Sequence, residues 1–356
     1  MTTPDLLRVE SLGTSFRLDS GWHGAVREVS FTLARNETLA LVGESGCGKS
    51  VTALSILRLL PPQGARVETG RILLDGVDLL ELDEVAMTAI RGNRIAMIFQ
   101  EPMTALNPVL PVGLQVAEPL IAHRDMDRAA ALAAAVDLLD RVGIPAARQR
   151  RDNYPHEFSG GMRQRVMIAM ALACDPAVLL ADEPTTALDV TIQAQVLGLL
   201  SELKTERAMG MVLITHSLSV VAAVADRVAV MYAGEIVETA TVTELFARPT
   251  HPYTEGLLQA IPRSDRANHA IRSIPGSVPP IDRMPGGCRF APRCRLREPV
   301  CDSQPPPLTP IDARTSDATP ALQASDAMAS RPATHEVRCW LRTDATRPTA
   351  RSEPGP

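Results

Sequence analysis

The chain has 356 residues, a formal charge of -5 and a pI near 5.9. That length exceeds one compact core and points to about two units, while the acidic balance argues against a broad nucleic-acid surface. No uninterrupted apolar run nears the ~20 residues of a membrane span, and the opening Met-Thr-Thr-Pro-Asp lacks the regions of a signal peptide, so a cytoplasmic location is expected.

From Leu6 to about Ala240, strand-like apolar runs alternate with helical segments, the pattern of an α/β unit with a largely parallel sheet. The run Thr38 to Val42 reads as a buried strand. It feeds Gly43-Glu-Ser-Gly-Cys-Gly-Lys-Ser50, which matches the phosphate-loop pattern G-x-x-x-x-G-K-[ST], and Lys49 opens a helical stretch to about Leu60. Gly43, Gly46 and Gly48 let backbone N–H groups converge at a helix N-terminus, with Glu44, Ser45, Cys47 and Val51 completing the wall. Lys49 adds a point charge for the terminal phosphates, and the Ser50 hydroxyl can ligate Mg²⁺. The ligand class is therefore a nucleoside triphosphate. Cys47 reads as a small filler. Lys49 and Lys204 are the only lysines, and Lys49 keeps the compact ammonium a phosphate site uses.

Residues from about 101 to 165 interrupt the alternation. They are Ala- and Leu-rich with helical spacing from Ala129 to Val142, are bounded by prolines at 102, 108, 111 and 119, and read as an inserted helical subdomain. Phe158-Ser-Gly-Gly-Met-Arg-Gln-Arg165 then introduces a helix from Met162 to Cys174, a second anion-binding start that one chain does not need for one triphosphate. Next, the strand-like Ala177 to Ala181 ends in Asp182-Glu183-Pro184. Carboxylates at a strand's C-terminal end lie where open α/β sheets bind ligands; Asp182 can hold Mg²⁺ through its water shell and Glu183 can act as general base toward water. A strand from Met211 to Thr215 leads to His216.

Taken together in this order, the motifs resemble those of the ATP-binding-cassette (ABC) ATPases over residues 6 to about 240. Ser159-Gly160-Gly161 corresponds to the family's signature, Gln100 to its Q-loop, Ala187-Leu188-Asp189 to its D-loop and His216 to its switch histidine. The resemblance implies a P-loop NTPase with a RecA-like core and two cassettes associating head to tail. ATP would lie between the phosphate loop of one and the signature helix of the other. It also implies that His216 contacts the γ-phosphate, Asp189 links the two sites and Gln100 senses Mg²⁺. An aromatic ring should stack on adenine; Phe16 fits the spacing best, with Trp22 as rival.

Three stretches, Ile98 to Pro108, Glu244 to Thr254 and Leu257 to Pro262, together with Met162 in the signature, resemble the ATP-binding subunits of oligopeptide and dipeptide importers. That resemblance implies two separate transmembrane permease subunits docking at the Q-loop subdomain, an extracytoplasmic substrate-binding protein, a second ATPase subunit that is homologous but different, and a peripheral place on the cytoplasmic face of the inner membrane. A nickel or other small-solute importer of the same subfamily is the alternative. A soluble cassette protein acting on nucleic acid or ribosomes fits less well, since this chain has one phosphate loop and one signature.

The first unit accordingly runs 1–240 and the second 241–356. In the second, Cys288, Cys294, Cys301 and Cys339 can close a coordination shell in a reducing cytosol where disulfides are improbable, and Arg289, Arg293, Arg295 and Arg297 are expected to lower the thiol pKa values. The importer resemblance implies a [4Fe-4S] cluster there; zinc and unligated thiols remain alternatives, and His335 could replace Cys339 or support it. Residues 303–334 read as a flexible loop and 341–356 as a disordered tail.

Overall fold

A computed structural model of the chain describes residues 5–185, 188–261, 273–311 and 334–342. Its strands are β1 (Leu7–Leu18), β2 (Gly21–Leu33), β3 (Thr38–Val42), β4 (Ala65–Leu74), β5 (Val77–Asp78), β6 (Ile95–Ile98), β7 (Val178–Asp182), β8 (Gly210–Thr215), β9 (Arg227–Tyr232), β10 (Glu235–Thr241), β11 (Thr309–Pro310) and β12 (Glu336–Val337). They build two sheets. One is antiparallel, in the order β2-β1-β4-β5; the other runs β11-β12-β10-β9-β3-β8-β7-β6, with β9, β3, β8, β7 and β6 parallel.

The parallel strands are apolar between their ends because both faces are covered. In β7, Leu179 and Ala181 pack on the helical side while Val178 and Leu180 face the antiparallel sheet, and β8 divides in the same way, with Met211 and Leu213 against Val212 and Ile214. This period of two assigns each residue of a strand to one of two cores.

The phosphate-loop helix α1 (Lys49–Ile56) stops short of the expected Leu60. Arg58 turns the chain at φ 53°, ahead of Pro61, whose ring disfavours helical backbone at the residue before it. After α2 (Glu84–Ile90) come α3 (Pro102–Ala105), α4 (Val112–Arg124), α5 (Arg128–Arg141) and α6 (Ala147–Arg150). Asp127 caps α5 by accepting from the N–H groups of Ala129 and Ala130, both at 2.9 Å. Pro119 lies inside α4, where a boundary was expected.

Then follow α7 (Gly160–Leu172), α8 (Val190–Glu206) and α9 (Leu218–Val224). The apolar residues of α4, α5 and α7 join those of α8, β6, β7 and β8 in one continuous cluster, so the helical insertion shares its core with the sheet. No helix among the described residues is long and apolar enough to cross a membrane.

Beyond β10 the chain forms α10 (Val242–Ala247), α11 (Pro252–Gln259) and α12 (Pro299–Ser303), then returns to the main sheet as β11 and β12. The expected flexible loop and tail lie mostly outside the described residues. In β10 Glu238 is fully buried; its carboxylate accepts from the N–H groups of Thr250 and His251 and lies 2.8 Å from His335 Nε2. Glu238 thereby holds His335 through Nε2, while the buried Nδ1 has no hydrogen-bond partner among the described residues.

His251 caps α11, its Nδ1 accepting from the Tyr253 N–H at 3.1 Å, and burial pushes its pKa down from 6.5 to about 4 despite the nearby Glu238 charge. The folded state therefore keeps a neutral ring that the unfolded chain protonates. This contribution to stability is complete above pH 6.5 and is lost as pH falls to about 4, on the order of 3 kcal/mol in all. His251→Asn keeps a capping acceptor without the titration. Its thermal midpoint, followed from neutral to acid pH, should fall less steeply than that of the wild type; parallel curves would remove His251 from the acid response.

Candidate nucleotide site

Four neighbouring parallel strands, β3, β8, β7 and β6, end at the same edge of the sheet. The phosphate loop leaves β3, His216 follows β8, Asp182 and Glu183 close β7, and Gln100 lies two residues beyond β6. Such a carboxyl-end edge is where α/β sheets gather ligand groups.

The loop is shaped by close packing beneath it. A Cβ on Gly43 would sit 2.1 Å from the Met231 carbonyl oxygen, and Gly48 adopts φ 106° at the N-cap of α1, so neither position accepts a side chain without rearrangement. Buried Lys49 donates from Nζ to the carbonyls of Gly43 at 2.8 Å and Glu44 at 3.0 Å. Cys47 is buried beneath the loop, its thiol pushed up chiefly by desolvation, which fits a filler. Ser45 and Gly46 are exposed at the tip, and Ser50 and Val51 are half-buried.

Asp182 is buried, its pKa raised first by desolvation and then moderated by a hydrogen bond from Ser50. Its Oδ1 has no hydrogen-bond partner among the described residues. A buried, unpaired carboxylate oxygen beside a hydroxyl suits Mg²⁺, which takes few protein oxygens and keeps several waters. Glu183 stands at φ 46°, a strained position for a residue with a Cβ, and its N–H donates to the Ile214 carbonyl at 2.9 Å. Gln100 Nε2 donates to Glu183 Oε2 at 3.0 Å, and His216 Nδ1 lies 3.0 Å from Oε1. Gln100 and His216, far from Glu183 in sequence, thus meet at its carboxylate, an arrangement able to orient a general base.

The remaining candidates lie elsewhere. Ser159 caps α7 by accepting from the Met162 N–H at 3.4 Å, and Ser159 and Gly160 are exposed; α7 packs chiefly on α3, α4, α5 and β6. Gly161 is close to α8, where a Cβ would come within 2.9 Å of Ile192. Asp189 caps α8 by accepting from the Ile192 N–H at 2.9 Å, whereas Ala187 falls outside the described residues. Phe16 is half-buried and Trp22 exposed with the Arg66 guanidinium 4.1 Å from its ring centroid; neither joins the buried core.

The thiol region departs from expectation. Burial is the first cause raising the pKa of Cys288, to about 12, and of Cys294 and Cys339, and nearby thiols among the four add to each rise. The arginines do not reverse this. Arg289 and Arg293 turn toward the nucleotide side, to the Ala233 carbonyl and Glu44, while Arg295 pairs with Glu255 and Arg297 with Asp302. Among the described residues no three His, Cys, Asp or Glu side chains are grouped to hold a metal ion, so the arrangement supports neither the expected cluster nor the zinc alternative.

Sequence reading also missed Tyr253, fully buried in α11, whose hydroxyl accepts from the Glu44 N–H at 2.9 Å. A tyrosine placed 209 residues downstream gives no local sign of meeting the loop.

A phosphate loop beneath α1, with carboxylates and a histidine at adjoining strand ends, defines an ATP-binding cassette. The family described as ABC transporter matches residues 26–186, and the one described as oligopeptide/dipeptide transporter, C-terminal region, matches 237–301. A putative peptide import ATP-binding protein of Brucella abortus is 53% identical over 323 residues, 88% of this chain and 96% of that protein. The dipeptide transport ATP-binding protein DppD of Bacillus subtilis is 49% identical over 337 residues, 95% of each. Among solved structures, a dimeric ATP-binding cassette in a post-hydrolysis state with ADP and Pi is 27% identical, with TM-score 0.60, covering 66% of this chain and 98% of that one. The chain belongs to the ABC transporter family, as an ATPase subunit carrying the oligopeptide/dipeptide transporter C-terminal region.

Proposed function

We propose that this chain is the ATP-hydrolysing subunit of an importer for dipeptides or oligopeptides. The observation that carries the reading is identity near 50% to peptide-import ATP-binding proteins, spanning both the cassette and the region after it. Residues 1–240 form the cassette and 241–356 the importer-type extension. ATP binds on Gly43 to Val51 with Mg²⁺ at Ser50, Asp182 and Gln100, Glu183 deprotonates the attacking water, and His216 meets the γ-phosphate. Phe16 stacks on adenine.

Ser159, Gly160, Gly161 and Asp189 act across a head-to-tail pair, whose other member is a second, homologous ATPase subunit. The exposure of Ser159 and Gly160, and the dimeric state of the solved relative, support that pairing. The cassette pair closes on ATP and reopens after hydrolysis, moving two membrane permease subunits that receive solute from an extracytoplasmic binding protein; the chain sits peripherally on the cytoplasmic face. Exposed Phe99, Met103 and Val109 around the Q-loop supply an apolar landing for the permeases.

At the four cysteines we favour a [4Fe-4S] cluster. The reading rests on the importer resemblance and on four thiols whose charges act on one another, since among the described residues no side chains are grouped to hold a metal ion. Bound there, the cluster would tie Cys339 back to the short segment that carries Cys288, Cys294 and Cys301.

In cells producing only the Glu183→Gln form, uptake of a labelled dipeptide should fall to background. Unchanged peptide uptake with loss of another solute's transport would replace the substrate class.

A further inference from the structure

The first peptide of the phosphate loop is clasped from outside the cassette. Glu44 contributes three groups, and each has a partner: its N–H donates to Tyr253 Oη at 2.9 Å, its carbonyl accepts from Lys49 Nζ at 3.0 Å, and its Oε2 accepts from Arg293 Nη1 at 3.0 Å. Two of these three partners belong to the extension. Arg293 is itself immobilised: its side chain is 5% exposed, Nε donates to the Pro275 carbonyl at 2.8 Å, Nη2 reaches the Ile274 carbonyl at 3.4 Å, and the guanidinium lies 5.7 Å from the Tyr232 ring centroid. Tyr232 and Tyr253 pack edge to face at 4.7 Å. The clasp is therefore rigid on the side away from the nucleotide.

We infer that Arg293 is a positioning residue for the nucleotide site: through Glu44 it fixes the peptide at the loop entrance, so that ATP affinity depends on the order of the C-terminal extension. The physical reason is pre-organisation. A loop already held in its binding shape loses less freedom when phosphate arrives, and a part-buried charge-assisted hydrogen bond holds better than a neutral one. Arg293 immediately precedes Cys294, so whatever holds that thiol also sets the backbone from which the guanidinium reaches the loop. The inference rests on the nucleotide site proposed above.

The test is equilibrium binding of ATP with Mg²⁺ to the full chain, with thermal midpoints alongside, for Glu44→Gln, Arg293→Gln, the double variant, and Arg297→Gln as a control in the same extension. Each of the first two should weaken ATP about 10-fold, the double variant no more than either single, and the control not at all. Glu44→Gln perturbs the pair without touching the extension, so its result stands even if Arg293→Gln loosens the fold. Singles within twofold of wild type, or effects that multiply in the double variant, would overturn the inference. Wild-type chain that binds no ATP would overturn the nucleotide site and this inference with it, whereas intact wild-type binding with unresponsive variants sinks the inference alone.

Discussion

Replacing Glu183 with Gln should cut ATP turnover by about 10²- to 10⁴-fold, the span over which a positioned general base contributes. ATP affinity should hold within a few-fold, because Lys49, Ser50 and Asp182 are untouched and the amide is nearly isosteric with the carboxylate. The oxygen of the new amide can still accept from Gln100, whose Nε2 is 3.0 Å from Oε2 in the wild type. The amide NH₂ would face His216 Nδ1, which is 3.0 Å from Oε1, and that ring must then accept there and carry its proton on Nε2. The substitution thus removes proton abstraction and leaves the framework standing, and with hydrolysis blocked the closed cassette pair should persist. Steady-state hydrolysis and nucleotide binding on the same preparation decide it; turnover like the wild type's would refute Glu183 as the base.

Protein purified without oxygen should show a broad absorption band near ~400 nm and carry roughly four irons and matching sulfide per chain. Cys294→Ser should remove most of that iron. Because burial holds Cys288 at about 12 and raises Cys294 and Cys339, loading the metal must release protons, and retention should weaken as pH falls. Stoichiometric zinc without colour would replace the cluster with a single-ion site. Absence of any metal would leave Cys288 and Cys301 as packing residues against Ala291, Val300 and Trp340. Cys294→Ser should also weaken ATP modestly through Arg293, an effect that reading the thiols alone would not anticipate.

How much of this was legible beforehand follows from the range of the interactions. The phosphate loop, the Asp182-Glu183 strand end and the helix after Ser159 are local patterns, written in consecutive residues whose glycines, apolar runs and caps act on near neighbours. Their order along the chain supplied the site, and the strand order then explains why Gln100, Glu183 and His216 meet. The direction of Arg289 and Arg293 could not be read that way. Both sit among cysteines in sequence, yet their partners, the Ala233 carbonyl and Glu44, lie 56 and 249 residues away. The expectation of lowered thiol pKa values failed for the same reason: proximity in sequence put guanidinium groups beside sulfur, whereas packing turned them to other acceptors and left desolvation to dominate. Pro119 misled as a boundary because α4 accommodates it within the helix.

The wiring of β3 bears on how the protein is made. This strand pairs with β8 and β9, and the loop after it waits for an arginine 249 residues downstream. At ~5–20 residues per second, the ribosome delivers that arginine about 10 to 50 s after the loop itself. For most of that interval the nascent chain carries an apolar strand without its full set of neighbours, and for all of it a phosphate loop without its outer clasp, so chaperone protection falls due early and, on the inference above, full nucleotide affinity waits for residue 293.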